Sequence, residues 1–437
     1  MATGLFLFQN DLRVHDNPAL ALATQEADKL ICVYCLPVEH ANRYPYHINK
    51  HGFYRKQFLL QSLYNLSARL SERGQSLHVI LEHPLNALPE LITQYNVSMI
   101  YSSDHAGIYE QRNWHTLKGR YPYITFRKIT THTLFDQTEL PFQLDQELPD
   151  TFSKFNKLVD GLEIRSPITT IAKMPSPPGR LMAFDVLSSM INTKLLCQFE
   201  GGEKAALNHL DNYFSSRAPS QYKETRNALD GWENSTKFSP WLALGCLSAN
   251  QLIKRLSQYE SEVESNDSTK WIKFELMWRE YFQWYAHYHG AKLFTFGGIN
   301  RKSPNTAFYP ERFRRWCEGN TPYPIVNALM NQLRQTGYMS NRGRQIAASC
   351  LINELSLDWR YGAAHFEEHL IDYDIASNWG NWQYIAGVGA DPRQGRHFNL
   401  EKQTEMFDPD GEFINKWDGN KNDGNIDSVD AADWPIY

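Results

Sequence analysis

Three groups of side chains in the second half of the chain have types and spacings that could do chemistry. The first is Tyr222-Lys-Glu-Thr-Arg226-Asn227, followed by Ser235-Thr236-Lys237-Phe238-Ser239-Pro240-Trp241. Hydroxyls and backbone N–H groups just ahead of a helix beginning near Trp241 form an anion site able to accept phosphate or pyrophosphate. Ser239 as N-cap with Pro240 at the first helical position would also serve the helix itself. The second group is Trp271-Ile-Lys-Phe-Glu275-Leu-Met-Trp278-Arg279-Glu280. On a helix, Trp271, Glu275 and Trp278 share one face at i, i+4 and i+7, so a carboxylate is flanked by two indoles. That arrangement suits a wet cavity facing a ligand, or a rim position beside the core. The third joins Met339-Ser-Asn341-Arg342-Gly-Arg344, Leu357-Asp-Trp359-Arg360 and Ile371-Asp372-Tyr-Asp374-Ile-Ala-Ser-Asn378-Trp379-Gly-Asn-Trp382-Gln-Tyr384. Its Asp, Asn and Arg side chains stand among apolar neighbours and must pair with one another or with a ligand, because unpaired burial is costly.

Side chains so far apart in sequence need a frame to bring them together. Residues 1–125 alternate strand-like and helix-like signals. Gly4 to Phe8, Leu30 to Tyr34, Leu77 to Leu81 and Val97 to Tyr101 are short apolar runs, and Phe53 to Arg73 has a helical period that stops at Gly74. Such alternation predicts a parallel sheet with helices on both faces, an α/β Rossmann-like domain. No glycine fingerprint or Walker loop follows the first strand. Residues 126–200 gather prolines at 141, 149, 167, 175, 177 and 178, which predicts a connector wrapped over the surface. Residues 201–437 predict an all-α domain, with helices over Leu242 to Tyr259, Trp271 to His289, Tyr323 to Thr336 and Arg344 to Leu357. The acidic tail from Asp418 to Asp433 reads as solvated chain.

Composition bounds the rest. The chain has 437 residues, 42% of them apolar, which excludes disorder and collagen-like architectures. With 44 Lys+Arg against 49 Asp+Glu the net charge is −5, which argues against polyanion binding over the whole surface. A local basic groove is suggested between 301 and 344, where Arg301, Lys302, Arg312, Arg314, Arg315, Arg334, Arg342 and Arg344 meet only Glu311 and Glu318. No apolar run approaches the ~20 residues of a membrane-spanning helix. Met1 to Phe8 lacks a basic segment and a cleavage site, so the expected location is cytoplasmic. Of six Cys, Cys32 and Cys35 fall three apart on a strand-like run and point to opposite faces; the spacings give no metal site and no iron–sulfur site. The aromatic fraction, 13%, is mostly core, with room for a few rings that stack on flat ligands or carry electrons.

Asp11-Leu-Arg13-Val-His-Asp16-Asn17 near the N-terminus, the three groups above, and Gln403 with Phe407-Asp-Pro-Asp-Gly411-Glu-Phe-Ile-Asn-Lys-Trp417 resemble motifs of the photolyase/cryptochrome family, in order and across essentially the whole chain. Phe8-Gln9-Asn10 departs from that family's usual Trp-Phe-Arg. The stretches from Tyr222, Ser239 and Asn381 look most like the DASH cryptochromes. The resemblance implies an N-terminal antenna domain and a helical domain holding FAD bent into a U. Tyr222, Ser235, Thr236, Lys237, Phe238 and Ser239 then match positions around the FAD phosphates and ribityl chain. Arg279, Arg344, Asp372 and Asp374 match positions around flavin and adenine. Asn378 matches the group facing flavin N5, where an uncharged amide suits a reduced flavin and a carboxylate would repel the anionic form. Glu275, Trp278, Met339, Asn341, Arg342, Tyr384 and Gln403 match the substrate cavity. Trp382 and Trp359 match the inner members of the tryptophan chain that reduces the flavin; the outer one would fall near Thr306, and Tyr309, Trp316 and Trp379 are candidate substitutes. Glu110 and Lys292 match contacts to an antenna chromophore, expected to be 5,10-methenyltetrahydrofolate.

The function so implied is light-dependent repair of cyclobutane pyrimidine dimers in single-stranded DNA by a monomeric photo-lyase, with electron transfer from excited reduced FAD. Glu275 would hydrogen-bond the dimer and stabilise its radical anion, and Asn341 would position it. Ser340-Asn341 replaces the His-His pair of (6-4) photolyases, which favours the cyclobutane dimer. Tyr384 stands where duplex-active photolyases have Trp. Stacking contributes ~1–3 kcal/mol per base, so less ring area weakens the hold on a base flipped from a duplex. The alternatives are a blue-light receptor that binds nucleic acid without repairing it, and a regulator that uses flavin structurally.

Overall fold

The computed structural model describes residues 2–37, 46, 51–144, 146–168, 171–179, 191, 198–391, 393, 395–422 and 426; most of the acidic tail lies outside them. Strands β1 (Thr3–Phe8), β2 (Lys29–Cys35), β3 (Leu77–Ile80) and β4 (Val97–Ser103) form at the four apolar runs. They pair in parallel in the order β3-β2-β1-β4, and a fifth strand, β5 (Thr125–Ile129), extends the β4 edge. The sequence reading ended the α/β unit at 125 and missed β5. Thr-Phe-Arg-Lys-Ile is no apolar run, and charge on an edge strand discourages pairing with another chain. Helices α1 (Pro18–Glu26), α2 (Phe53–Ser71), α3 (Pro84–Tyr95) and α4 (Ile108–Arg120) cross between strands. The first begins where Asn17 accepts from Leu20 N and Pro18 fits the first turn.

Period-two alternation divides the sheet between two cores. Leu5, Leu7, Ile31 and Val33 pack with Leu88 and Ile92 of α3 in a cluster that belongs to the α/β unit. Phe6, Phe8 and Cys32 point the other way and join a cluster that runs on through Trp241, Trp316 and Trp382. One face of the sheet is therefore shared with the helical half.

The connector does more than wrap the surface. Thr131 to Phe135 is buried, and helix α5 (Phe152–Val159) sends Phe152, Phe155 and Val159 into the shared core. After it come α6 (Glu203–Phe214), α7 (Tyr222–Thr225), α8 (Ser239–Ala243), α9 (Ala249–Glu262), α10 (Asp267–His289), α11 (Pro310–Glu318) and α12 (Pro324–Thr336). The last are α13 (Asn341–Ser349), α14 (Trp359–His369), α15 (Ile375–Ala386), α16 (Leu400–Phe407) and α17 (Glu412–Lys416). The expected single helix from Leu242 to Tyr259 is two helices. Gly245 breaks it at φ +65°, where a Cβ would lie 1.9 Å from the carbonyl oxygen of Asn10. Ser248 and Gln251 then cap α9 reciprocally. The expected helix from Arg344 to Leu357 starts three residues earlier and ends in a π turn, Cys350–Glu354. Among the described residues no helix is long and apolar enough to cross a membrane.

Buried polar side chains lock the two halves together. Arg13, 1% exposed, donates to the carbonyls of Gly245, Asp16 and Thr131 at 2.9 Å. Glu203 of α6 accepts from His15 N at 2.7 Å and Val14 N at 3.2 Å. Glu280 of α10, 0% exposed, accepts from Leu134 N at 2.7 Å, Phe135 N at 3.3 Å and Trp284 Nε1 at 2.8 Å. The Asp11-to-Asn17 motif therefore acts as an interdomain joint.

Candidate functional site

Helices α13, α14 and α15 enclose a pocket. Asn341, Arg344 and Ala348 line it from α13, Phe366 from α14, and Asp374, Ser377, Asn378 and Trp382 from α15 and its cap. Arg344 Nη2 bridges both oxygens of Asp372, at 2.9 and 2.7 Å, and its Nε donates to the Met339 carbonyl at 2.9 Å. Asp374 caps α15 through Ser377 N at 2.7 Å and accepts from Gln283 Nε2 at 3.0 and 2.9 Å. Asn378 donates its amide N–H to the Ala363 carbonyl at 3.0 Å, which leaves Oδ1 as the acceptor it offers to a ligand. Close helix packing fixes these positions: a Cβ on Gly380 would lie 2.4 Å from Phe282, and one on Gly362 2.3 Å from the Trp382 ring.

Lys237 adds the observation that bears on what fits. It is 6% exposed, in a left-handed conformation at φ +54°, and among the described residues its hydrogen bond is to Tyr338 Oη at a long 3.5 Å. Burial, with Arg344 adding to it, pushes the ammonium down to about 8. A buried cation so thinly partnered fits a pyrophosphate, and an Asp372-held guanidinium with two carboxylates and an amide fits a flavin and its adenosine. FAD suits the residues present.

The other residues expected around FAD have partners of their own within the protein. Phe238 lies in an aromatic core, 4.9 Å from His209 and 5.3 Å from Tyr213 between ring centres. Thr236 accepts from His209 through its carbonyl at 2.9 Å, and Ser235 hydrogen-bonds the Tyr338 hydroxyl. Tyr222 is buried on α7, and Ser239 opens α8, a helix of one turn. Arg279, expected beside the flavin, instead donates to the His132 carbonyl at 2.6 Å and braces the connector.

The residues expected to line a substrate cavity stand on α10, α13, α15 and α16, with Met339 just ahead of α13. Glu275 Oε1 accepts from Trp271 Nε1 at 2.9 Å and pairs with Arg226 Nη1 at 2.8 Å. Burial pushes its carboxyl up, against the pull of Arg226 and Trp271. Trp278 stacks on Phe152 at 3.8 Å and 13°, and meets the edge of Tyr384 at 6.1 Å. Arg342 donates to Asn227 at 3.1 Å and lies over Phe407 at 5.1 Å, while its buried Nε has no hydrogen-bond partner among the described residues. Gln403 on α16 keeps a buried Oε1 unpartnered in the same way. Met339, expected in this cavity, is 0% exposed and packs against Gly343, so only its carbonyl serves the site. Sequence reasoning missed Arg396, which hydrogen-bonds the Tyr384 hydroxyl, lies over its ring at 5.0 Å and pairs with Asp391 at 3.1 Å. Nothing in its spacing shows that its loop folds back over Tyr384. Arg226 stood inside the first motif, and its basic charge was the available signal.

Trp382 lines the pocket, and Trp359, 0% exposed, donates to the Phe296 carbonyl at 3.0 Å. The basic stretch does not form one open cationic face: Arg314 pairs with Glu311 and Glu318, Arg315 with Glu311 at 3.1 Å, and Arg344 with Asp372. Glu110 sits in the first turn of α4, 3.8 Å from His105, and Lys292 is exposed on a 3-10 turn, Gly290–Phe294.

The comparisons agree with this layout. A family model described as DNA photolyase matches residues 4–176, and one described as the FAD binding domain of DNA photolyase matches residues 271–422. A Cryptochrome DASH of Idiomarina loihiensis is 53% identical over 433 residues, covering 99% of this chain and 96% of that protein. Another, of Vibrio parahaemolyticus, is 49% identical over 436 residues, covering 99% and 97%. The crystal structure of a Synechocystis cryptochrome superposes with a TM-score of 0.89 at 38% identity, covering 95% of this chain and 88% of that one.

Proposed function

Because this chain belongs to the DNA photolyase/cryptochrome family, and within it to the DASH cryptochromes, we propose that it is a light-driven lyase that splits cyclobutane pyrimidine dimers in single-stranded DNA. The observation that carries this reading is a pair of buried polar atoms left open. Arg342 Nε and Gln403 Oε1 have no hydrogen-bond partner among the described residues, and Arg342 lies near Arg226, the partner of Glu275. Buried polar atoms left open cost free energy unless a polar, flat ligand closes them.

FAD, when bound, supplies the light-excited electron that opens the dimer. The protein supplies the rest. Trp278, held by Phe152, and Tyr384, held by Arg396, present ring surfaces for a flipped pyrimidine pair. Glu275, its carboxyl raised by burial, can donate a proton in a hydrogen bond to a pyrimidine carbonyl and so steady negative charge there. Asn341, exposed at the start of α13 and lining the flavin pocket, is placed to orient the dimer. Asn378, its amide N–H held by the Ala363 carbonyl, would present an uncharged amide oxygen to the flavin ring. In the same reading residues 1–125 form the antenna unit, 126–200 the connector and 201–437 the catalytic unit of a cytoplasmic monomer. Glu110 and Lys292 would contact methenyltetrahydrofolate.

The test is to illuminate the reduced, FAD-loaded protein with dimer-containing oligonucleotides. Dimers should disappear in light only, and faster from single strands. Persistence of dimers in both substrates overturns the repair reading, and equal rates overturn the strand preference.

A further inference from the structure

An indole hydrogen-bonded to a carboxylate lies one helical turn from the pocket. Trp379 Nε1 donates to Glu367 Oε2 at 3.1 Å and to Tyr373 Oη at 3.2 Å, and its ring is 5.8 Å from that of Trp359. Trp379 and Trp382 stand at i and i+3 on α15, so they are neighbours on its surface. The Trp382 ring in turn lies on Gly362, one turn from Trp359 on α14. Trp359 and Trp379 thus meet where α14 packs on α15, with Trp382 one turn further along α15.

We propose that Trp379 is the end of the electron path that refills the flavin site and that Glu367 is the base that takes its proton. Trp382 gives one electron to the light-excited oxidised flavin and regains it from Trp359, which regains it from Trp379. Trp379, one electron short, passes its Nε1 proton to Glu367 Oε2. What remains is a neutral indolyl radical and a protonated carboxyl, and an added thiol reductant returns one electron while the proton goes back to Nε1.

The other two candidates lack this device. Tyr309 lies under the Arg312 guanidinium at 4.6 Å, and a cation over the ring opposes loss of an electron. Trp316, its ring 6.3 Å from that of Trp382, donates to the Ala347 carbonyl at 3.1 Å, an acceptor that holds no proton. Tyr373 also carries a guanidinium, that of Arg55, at 4.3 Å over its ring, which keeps it a hydrogen-bond partner of Trp379. Burial pushes the Glu367 carboxyl up, with Glu110 adding to it against Arg55, Tyr373 and Trp379, and a higher pKa makes a better proton acceptor.

The proposal rests on flavin binding and not on dimer repair. The test is flash illumination of the oxidised, FAD-loaded protein, read by transient absorption and electron paramagnetic resonance. The wild type should give a neutral tryptophanyl radical, and Trp379→Phe should lose it. Glu367→Gln keeps the hydrogen-bonding shape, so it tests the path independently of any folding defect in Trp379→Phe. It should give the same radical as the protonated cation, whereas Tyr373→Phe should leave the neutral radical in place. A neutral radical that survives Trp379→Phe, or an unchanged protonation state in Glu367→Gln, overturns the proposal. Chemically reduced Trp379→Phe should still split dimers at the wild-type rate, and failure of both proteins to do so bears on the repair reading alone.

Discussion

Lys237 ties flavin binding to pH. Burial pushes its ammonium down to about 8 in the fold, from an ordinary value of 10.5. The unfolded chain therefore holds more protons between those values, so this group makes the ligand-free protein more stable as pH rises from about 8 to 10.5. Pyrophosphate needs the charged form, so FAD binding above pH 8 must take up a proton, and affinity should fall by up to about tenfold per pH unit. Fluorescence titration of FAD from pH 7 upward checks this, and Lys237→Met should bind more weakly with no such slope. Glu275 works in the opposite sense: a donor with a raised pKa loses its proton as pH rises, so dimer splitting should fall with pH in the wild type and stay level in Glu275→Gln. Glu275→Ala should slow splitting by about tenfold or more, the worth of one charge-assisted hydrogen bond. The Trp271–Glu275 contact was legible from i, i+4 spacing alone. The Arg396–Tyr384 pair was not, since a loop that folds back leaves no periodic trace.

Elements meet here through glycines that allow no side chain. Adding a Cβ to Gly362 would strike the Trp382 ring at 2.3 Å and displace an indole that lines the flavin pocket. Gly362→Ala should cost about 1–3 kcal/mol of stability and weaken flavin retention. Thermal unfolding and the flavin content of the purified protein measure both. Strands β1 to β4 and the long helices α2, α10 and α12 were readable because burial writes a period into sequence. Strand β5 and the break at Gly245 were not, because Thr-Phe-Arg-Lys-Ile is only partly buried and has no apolar run, and the Gly245 turn answers to Asn10, more than two hundred residues away.

At the scale of the whole molecule, Glu280, fully buried, holds the connector to α10 through the N–H groups of Leu134 and Phe135 and also accepts from Trp284 of its own helix. Glu280→Ala leaves those donors unmet and should cost about 3 kcal/mol or more. Calorimetry should then resolve two transitions where the wild type, with one core common to both halves, shows one. That common core also decides what can be cut from the protein. A fragment ending after β5 would bare Phe6, Phe8 and the Leu59, Leu60 and Leu63 side of α2 to water, a greasy sheet face with no helices to cover it. The α/β half is therefore no interchangeable module: transplanted alone onto another protein it should clump, and it should travel only with the helices it leans on.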